Sequence, residues 1–570
     1  MQQRTMQIAV DADGERGRRA SGLRPGVAAT LALLGLTQAA SADITFVNES
    51  IEGVYVTLEA FVPGDGAPLP LTPDLFVATG PNNSVTLPVV VEGSGAQLVV
   101  RVRTDLDSAS SASAADFETR VYAVQDGSTV RLERDDSATW IGNYYLAAYD
   151  ASGAEYANSD PWRNSRVRKV DFLGSADCQY WESETTLEGI SDLTHDRMVD
   201  LLSPYGPPNY RGILMAGDLT QNSRTSEYDA YLDSFDGALQ YVFDSVGNHD
   251  LHDTGIFGLS SPLNTIVELD RRNRVANRLA QSNALLSFGV YGLVYAPFYS
   301  WDWHDVHFVQ LGMVPGMGDS QGGLTDFDGT PLPTYDSLQF LADDLAANVG
   351  DSGRPVILVH HYYMATEQQC PTCQWADVSQ DERVAYWQTI EPYNVAAILS
   401  GHLHVAPGDD SSDWKFDWAD PTGADPTRTI PNYLMGAARG SSASPSSVDY
   451  SGAYSTIEMN GVNQIRFRRF SSDPEQAATS KFDVIAFGDD VLHVSNTAGA
   501  SRGFGTAFQP FPDPRDAEQA LATRFPDTAG TEHAGAEEVQ LEAGNYPGPM
   551  TLSSPARWSA SGGVATLGAD

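Results

Sequence analysis

Five short polar clusters occur in order along the chain: Asp177-Cys178-Gln179, Gly217-Asp218, Gly247-Asn248-His249-Asp250, His360-His361 and Gly401-His402-Leu403-His404. Carboxylate, amide oxygen and imidazole together suit hard to borderline divalent cations such as Mn, Fe, Zn, Mg or Ca. One carboxylate can bridge two such ions about 3.5–4 Å apart, the spacing at which metal pairs do hydrolytic chemistry. His402 and His404 stand two positions apart, so one loop could serve both ions. Glycines directly before Asp218, Asn248 and His402 allow the backbone to turn sharply there.

Ligands this far apart in sequence need a scaffold that brings them together. Each cluster follows a short apolar or β-branched run: VDFLGSA, GILMA, YVFDSV, PVILV and VAAILS. Such runs read as buried strands, and loops at the carboxyl ends of strands converge in one crevice of an α/β sheet. Helical stretches alternate with them, namely TTLEGISDLTHDRMVDLL, SEYDAYLDSFDGAL and YDSLQFLADDLAANV. Residues 164–470 are therefore expected to form a layered α/β domain, closed by a hairpin in STIEMNGVNQIRFRRF.

The flanks differ in character. Residues 43–163 contain many short β-rich segments separated by Gly, Pro, Asp or Ser, the pattern of a β-sandwich accessory domain. The run 105–116 reads as a polar loop within it. Residues 471–570 are β-rich and resemble the start of a right-handed parallel β-helix, with PRDAEQALATRF as a helical cap. Residues 1–42 have the form of an export signal: arginines, a short apolar stretch, and the small-residue site Ala40-Ser41-Ala42. Export to the periplasm, cell surface or medium is expected. In that oxidising setting Cys370 and Cys373 could close a small loop, leaving Cys178 as a buried, unreactive thiol.

With 570 residues the chain has room for three or four domains of roughly 150 residues each. It carries 34 basic against 75 acidic residues, a net charge of -41, and its lysines are only Lys169, Lys415 and Lys481. Such a surface is well hydrated and repels polynucleotides and anionic membranes. A high-salt habitat or a GC-rich genome would each account for the shortage of lysine. Nucleic-acid partners and a membrane span are not expected. The β-rich flanks are candidates for cell-surface or carbohydrate contact.

The five clusters together resemble the blocks of the calcineurin-like metallophosphoesterase superfamily, D-x-H, G-D, G-N-H-[DE], H and G-H-x-H, over about 300 residues. The spacing is similar too, 41 residues from Asp177 to Asp218 and 30 more to Asn248. The first block here ends in Gln179 instead of His, as in one branch of the superfamily. The resemblance implies a metallophosphoesterase core, a β-sandwich flanked by helices, holding two divalent metal ions. It assigns Asp177 and His404 to the first ion, with Gln179 as a weaker donor, Asp218 as the bridge, and Asn248, His360 and His402 to the second. His360 is preferred over His361 because it directly follows PVILV. His249, helped by Asp250, would supply the catalytic proton, although Asp250 reads at least as well as a turn-fixing residue. The expected activity is that of an exported metal-dependent phosphoric ester hydrolase, cleaving small phosphoesters by metal-activated hydroxide attack. The alternative is a surface or carbohydrate-binding protein with a degenerate core. Among the other histidines, His307 is expected in the core and His195 on a helix surface, while His252 and His304 are read as ordinary structural residues, with substrate contact the less favoured alternative; Arg439 is a candidate phosphate contact.

Overall fold

The computed structural model describes residues 43–569 apart from a set of loops, the longest being 104–117, 135–143, 252–268, 270–279, 317–336, 365–379, 405–413, 440–451 and 526–536. The export signal, the Cys370/Cys373 loop, the run 105–116 and His252 lie outside the described residues.

All five apolar runs become strands: Lys169–Ser175, Ile213–Met215, Val242–Asp244, Pro355–Val359 and Asn394–Ser400. They divide between two sheets. In a six-stranded sheet, Lys169–Ser175, Ile213–Met215 and Val242–Asp244 run parallel, and the hairpin of Ala453–Asn460 and Gln464–Ser471 pairs onto the first. That hairpin is the one expected from the sequence. The sheet does not stop at residue 470, however, because Lys481–Ala486 adds a further antiparallel strand. In a seven-stranded sheet, Val306–Gln310, Pro355–Val359, Asn394–Ser400 and Thr429–Leu434 run parallel.

One apolar cluster lies between these sheets, joining Val170 and Phe172 of the first to Phe308, Ile357 and Leu399 of the second. A second packs helices on the outside, with Met198 and Leu202 from Thr185–Leu202, Tyr228 and Tyr231 from Thr225–Asp233, and Leu341 and Leu345 from Ser337–Asn348. Strands buried on both faces are what the uninterrupted apolar runs require. The result is a mixed α/β core with two sheets inside and helices outside.

Residues 43–158 contribute two further five-stranded sheets, whose inward residues, among them Phe46, Val56, Val100 and Leu132, share one core cluster. Near the other end, Val491–Val494, Glu538–Pro547 and Arg557–Ala569 stack in parallel, Glu538 opposite Arg557. The helix Pro514–Leu521 shares its core through Ala517, Ala520 and Leu521. No helix among the described residues is long and apolar enough to cross a membrane.

Candidate metal centre

The loops that leave the carboxyl ends of these strands are stitched to one another by their backbones. Asp177 N donates to Gly217 O at 3.0 Å, Gln179 N to Asp218 O at 2.9 Å, and Gly401 N to His361 O at 3.0 Å. The fit is close enough that a side chain at Gly247 would put its Cβ 2.2 Å from Asp218 Oδ1, and one at Gly401 would meet Ala176 Cβ at 2.5 Å. Asp177, Gln179, Asp218 and His402 all adopt positive φ, of 51°, 41°, 56° and 69°. Left-handed backbone is costly for non-glycine residues and concentrates where function over-determines the chain.

Six side chains meet there. Asp218, His361 and His402 form one group with ligand atoms mutually within 4.8 Å, and Asp177, Asp218 and His404 form another. Asp218 is common to both. His361 Nε2 lies 3.3 Å from Asp218 Oδ1 and 3.2 Å from Asn248 Oδ1. His404 Nε2 lies 3.4 Å from Asp177 Oδ1. The other nitrogen of His361, Nδ1–H, donates to Ala216 O at 2.7 Å, which orients the ring and leaves Nε2 as the nitrogen that faces the cluster.

The electrostatics match an assembly of ligands. Burial opposes the charge on Asp218, but His361 and His249 outweigh it and hold the carboxyl well below its usual range. Burial likewise opposes a charged His361, yet Asp218 and Asp177 raise it to about 9. His402 is pushed down to about 3, chiefly by burial and then by the charge of His361, so its ring is neutral. Buried atoms with no hydrogen-bond partner include Asp177 Oδ2, Gln179 Oε1 and His402 Nε2. Orphaned buried acceptors are expensive. Two carboxylates, imidazoles and amide oxygens with lone pairs unspent are a donor set that a pair of divalent cations fits.

The pair His360-His361 divides in the sense opposite to that expected. His360 is buried, its Nδ1–H donating to Tyr362 O at 2.7 Å and its ring edge-on to Tyr386 at 5.8 Å; burial lowers its pKa to about 4. It belongs to neither metal-competent group among the described residues, and His361 takes its place. Neighbouring residues at a strand end point to opposite faces, and the second residue faces the crevice here.

Gln179 Nε2 donates to Asp218 Oδ2 at 2.8 Å, so the amide steadies the shared carboxylate while its Oε1 stays available to a cation. Of its two expected roles, catalytic and turn-fixing, Asp250 takes the second. Its carboxylate accepts from Gly247 N, Leu219 N, Thr220 N and Thr220 Oγ1 at 2.8–3.1 Å, clamping the Asp218 and Asn248 turns together. It is a positioning residue. His249 is partly exposed at the rim, its backbone N–H on Asp218 Oδ1 at 2.9 Å and its Nδ1 at 2.9 Å from Gln221 O.

Other expectations divide. His307 is a core residue, between Asp302 and Asp344 at 2.9 and 2.7 Å. His304 lies in the turn between Tyr299–Trp303 and Val306–Gln310, at the amino end of the parallel strands and away from the crevice. His195 is not on the surface: it is fully buried, stacked on Phe235 at 4.1 Å and bonded to Ser234 Oγ at 2.7 Å. Cys178 is buried, with its thiol pushed well up by burial, and it caps Leu219 O at 3.4 Å. Gln221, which touches both His249 and Arg439, is a site residue that carried no motif of its own.

The calcineurin-like phosphoesterase family model matches residues 189–406, which hold four of the five clusters; Asp177 and Gln179 lie just upstream. No curated protein matches the chain in sequence. Solved structures with a similar course include the purple acid phosphatase PPD1 of yellow lupin (Lupinus luteus), at 12% identity over 68% of this chain and 72% of that one, TM-score 0.34. Others are PhoD, at 10% identity over 76% and 82%, TM-score 0.35, and the phosphopantetheinyl hydrolase PptH of Mycobacterium tuberculosis, at 15% identity over 48% and 91%, TM-score 0.28. Residues 189–406, which hold most of the crevice of acids and imidazoles, thus match the calcineurin-like phosphoesterase family, and that match supports a metal-dependent phosphoric ester hydrolase.

Proposed function

We propose that the protein is an exported phosphohydrolase for small phosphoesters, and that Asp177, Gln179, Asp218, Asn248, His361, His402 and His404 hold its two metal ions. The observation that carries this reading is the membership of Asp218 in both metal-competent groups, as a bridging carboxylate requires. A bound pair of divalent cations would supply Lewis acidity and a water acidic enough to lose its proton near neutral pH.

The chain's own residues do the rest. Asp218 is held from both oxygens, by His249 N–H and by Gln179 Nε2–H, so it cannot swing away. Asp250 keeps the two ligand turns in register. With Nδ1–H on Gln221 O, His249 presents Nε2 as its working atom. In the imidazolium form that atom donates a proton to the departing alkoxide, a contribution of roughly 10²–10⁴-fold.

Small substrates follow from charge. A chain at -41 repels polyanions at long range, while a local pair of cations still draws in a compact phosphoester. Export is supported by the signal-like residues 1–42. The test is hydrolysis of a panel of phosphoesters with each of the five candidate metals. Activity that appears with metal, disappears with chelator and falls at least about 100-fold in His249→Ala supports the reading. A chelator-insensitive protein without hydrolytic activity sinks it.

A further inference from the structure

We propose that Arg439 selects the substrate, committing the site to phosphomonoester dianions over phosphodiesters; this rests on the phosphoesterase reading above. Arg439 lies beyond the segment matched by the family model. Its backbone is nonetheless fixed to the centre: Ala438 N donates to Ala176 O at 2.7 Å and Arg439 N to Asp177 O at 3.4 Å.

The half-buried guanidinium reaches over the rim. Nη1 donates to Gln221 Oε1 at 3.1 Å, and Nη2 lies 3.2 Å from His404 Nδ1. The His404 ring stands between it and Asp177, whose Oδ1 is 3.4 Å from His404 Nε2. Gln221 in turn touches His249, with Nε2 3.2 Å from Nδ1. Arg439, Gln221 and His249 thus form a continuous polar arc along the mouth of the centre.

A guanidinium beside a dication site is repulsive unless an anion lies between them. A substrate arriving with two negative charges is drawn to a guanidinium and a cation pair more strongly than one arriving with a single charge. Shape points the same way. A planar guanidinium matches a pair of terminal phosphoryl oxygens. A monoester has three such oxygens, so one can serve the cations while a pair remains for Arg439; a diester has two and cannot supply both.

The test uses the full-length, manganese-loaded protein as wild type, R439M and R439K, with p-nitrophenyl phosphate and bis(p-nitrophenyl) phosphate as a matched pair. Calorimetric titration with inorganic phosphate and with dimethyl phosphate reads binding without turnover, and thermal unfolding checks that each variant is folded. We expect R439M to lower the monoester-to-diester ratio of kcat/KM by about 10- to 100-fold, the worth of a charge-assisted hydrogen bond. Its preference for phosphate over dimethyl phosphate should fall by a similar factor, and R439K should lie between. An unchanged ratio together with an unchanged phosphate preference in folded R439M overturns the inference. A wild type that hydrolyses neither ester overturns the phosphoesterase reading instead, and the titrations alone then decide whether Arg439 takes a dianion.

Discussion

His360 and His361 are adjacent, wholly buried and alike in chemistry, so replacing each by alanine separates metal ligation from packing. His361→Ala removes a nitrogen 3.3 Å from Asp218 Oδ1 and 3.2 Å from Asn248 Oδ1. His360→Ala removes a ring packed on Tyr386 and a hydrogen bond to Tyr362 O. Each deletes a buried hydrogen bond and leaves a void, at a cost of about 1–3 kcal/mol in stability, so both should lower the melting temperature. They should part on metal. Loss of an outer-shell partner typically weakens metal binding about 10–100-fold; loss of a ligand should therefore cost at least about 100-fold. Equilibrium dialysis against manganese or zinc, with metal per chain read by mass spectrometry, should show His361→Ala depleted and His360→Ala near wild type, with hydrolysis following the metal. If His360→Ala is the depleted variant, the assignment of the crevice-facing ring is wrong.

Three other perturbations follow from the same geometry. Gly247→Ala would drive a Cβ to 2.2 Å from Asp218 Oδ1 and 2.4 Å from Asp218 N, so metal content and activity should collapse together; retention of both would show that the turns are looser than described. Gln179→Ala frees one oxygen of Asp218 and removes the Oε1 donor, and metal affinity should fall at least about 100-fold while the fold persists, checked by dialysis beside circular dichroism. His307 gives a pH signature. Burial opposes its charge, but Asp344 and Asp302 outweigh it and hold its pKa above the ordinary value. A raised folded-state pKa means stabilisation that is complete below about pH 6.5 and is lost as the pH climbs through the folded value. The gap in melting temperature between wild type and His307→Gln should accordingly narrow with rising pH, and a gap that widens contradicts the sign.

Much of the positioning machinery was legible from short runs of sequence. A strand buried on both faces has to be apolar throughout, so PVILV and VAAILS announce themselves, and the polar residue after each marks the crevice. The choice between His360 and His361 was not legible, because alternation tells which residues share a face and not which face meets the site. The reach of the Asp250 clamp was not legible for a related reason: three of its four donors come from Leu219 and Thr220, some thirty positions away, and no local pattern records it. His195 was misread because the buried face of Thr185–Leu202 presents Ser191, Thr194 and His195 beside Met198, and their hydrogen bonds are tertiary. The strand Lys481–Ala486 follows an expected boundary at 470 because pairing onto Gln464–Ser471, not composition, decides where that sheet ends.

The most direct measurement is anomalous scattering from crystals of the protein grown with manganese or zinc, collected at the metal's absorption edge. Two peaks are expected about 3.5–4 Å apart, one on each side of the Asp218 carboxylate, the first against Asp177 and His404 and the second against His361, His402 and Asn248. Strong peaks elsewhere with none at Asp218 would contradict this arrangement.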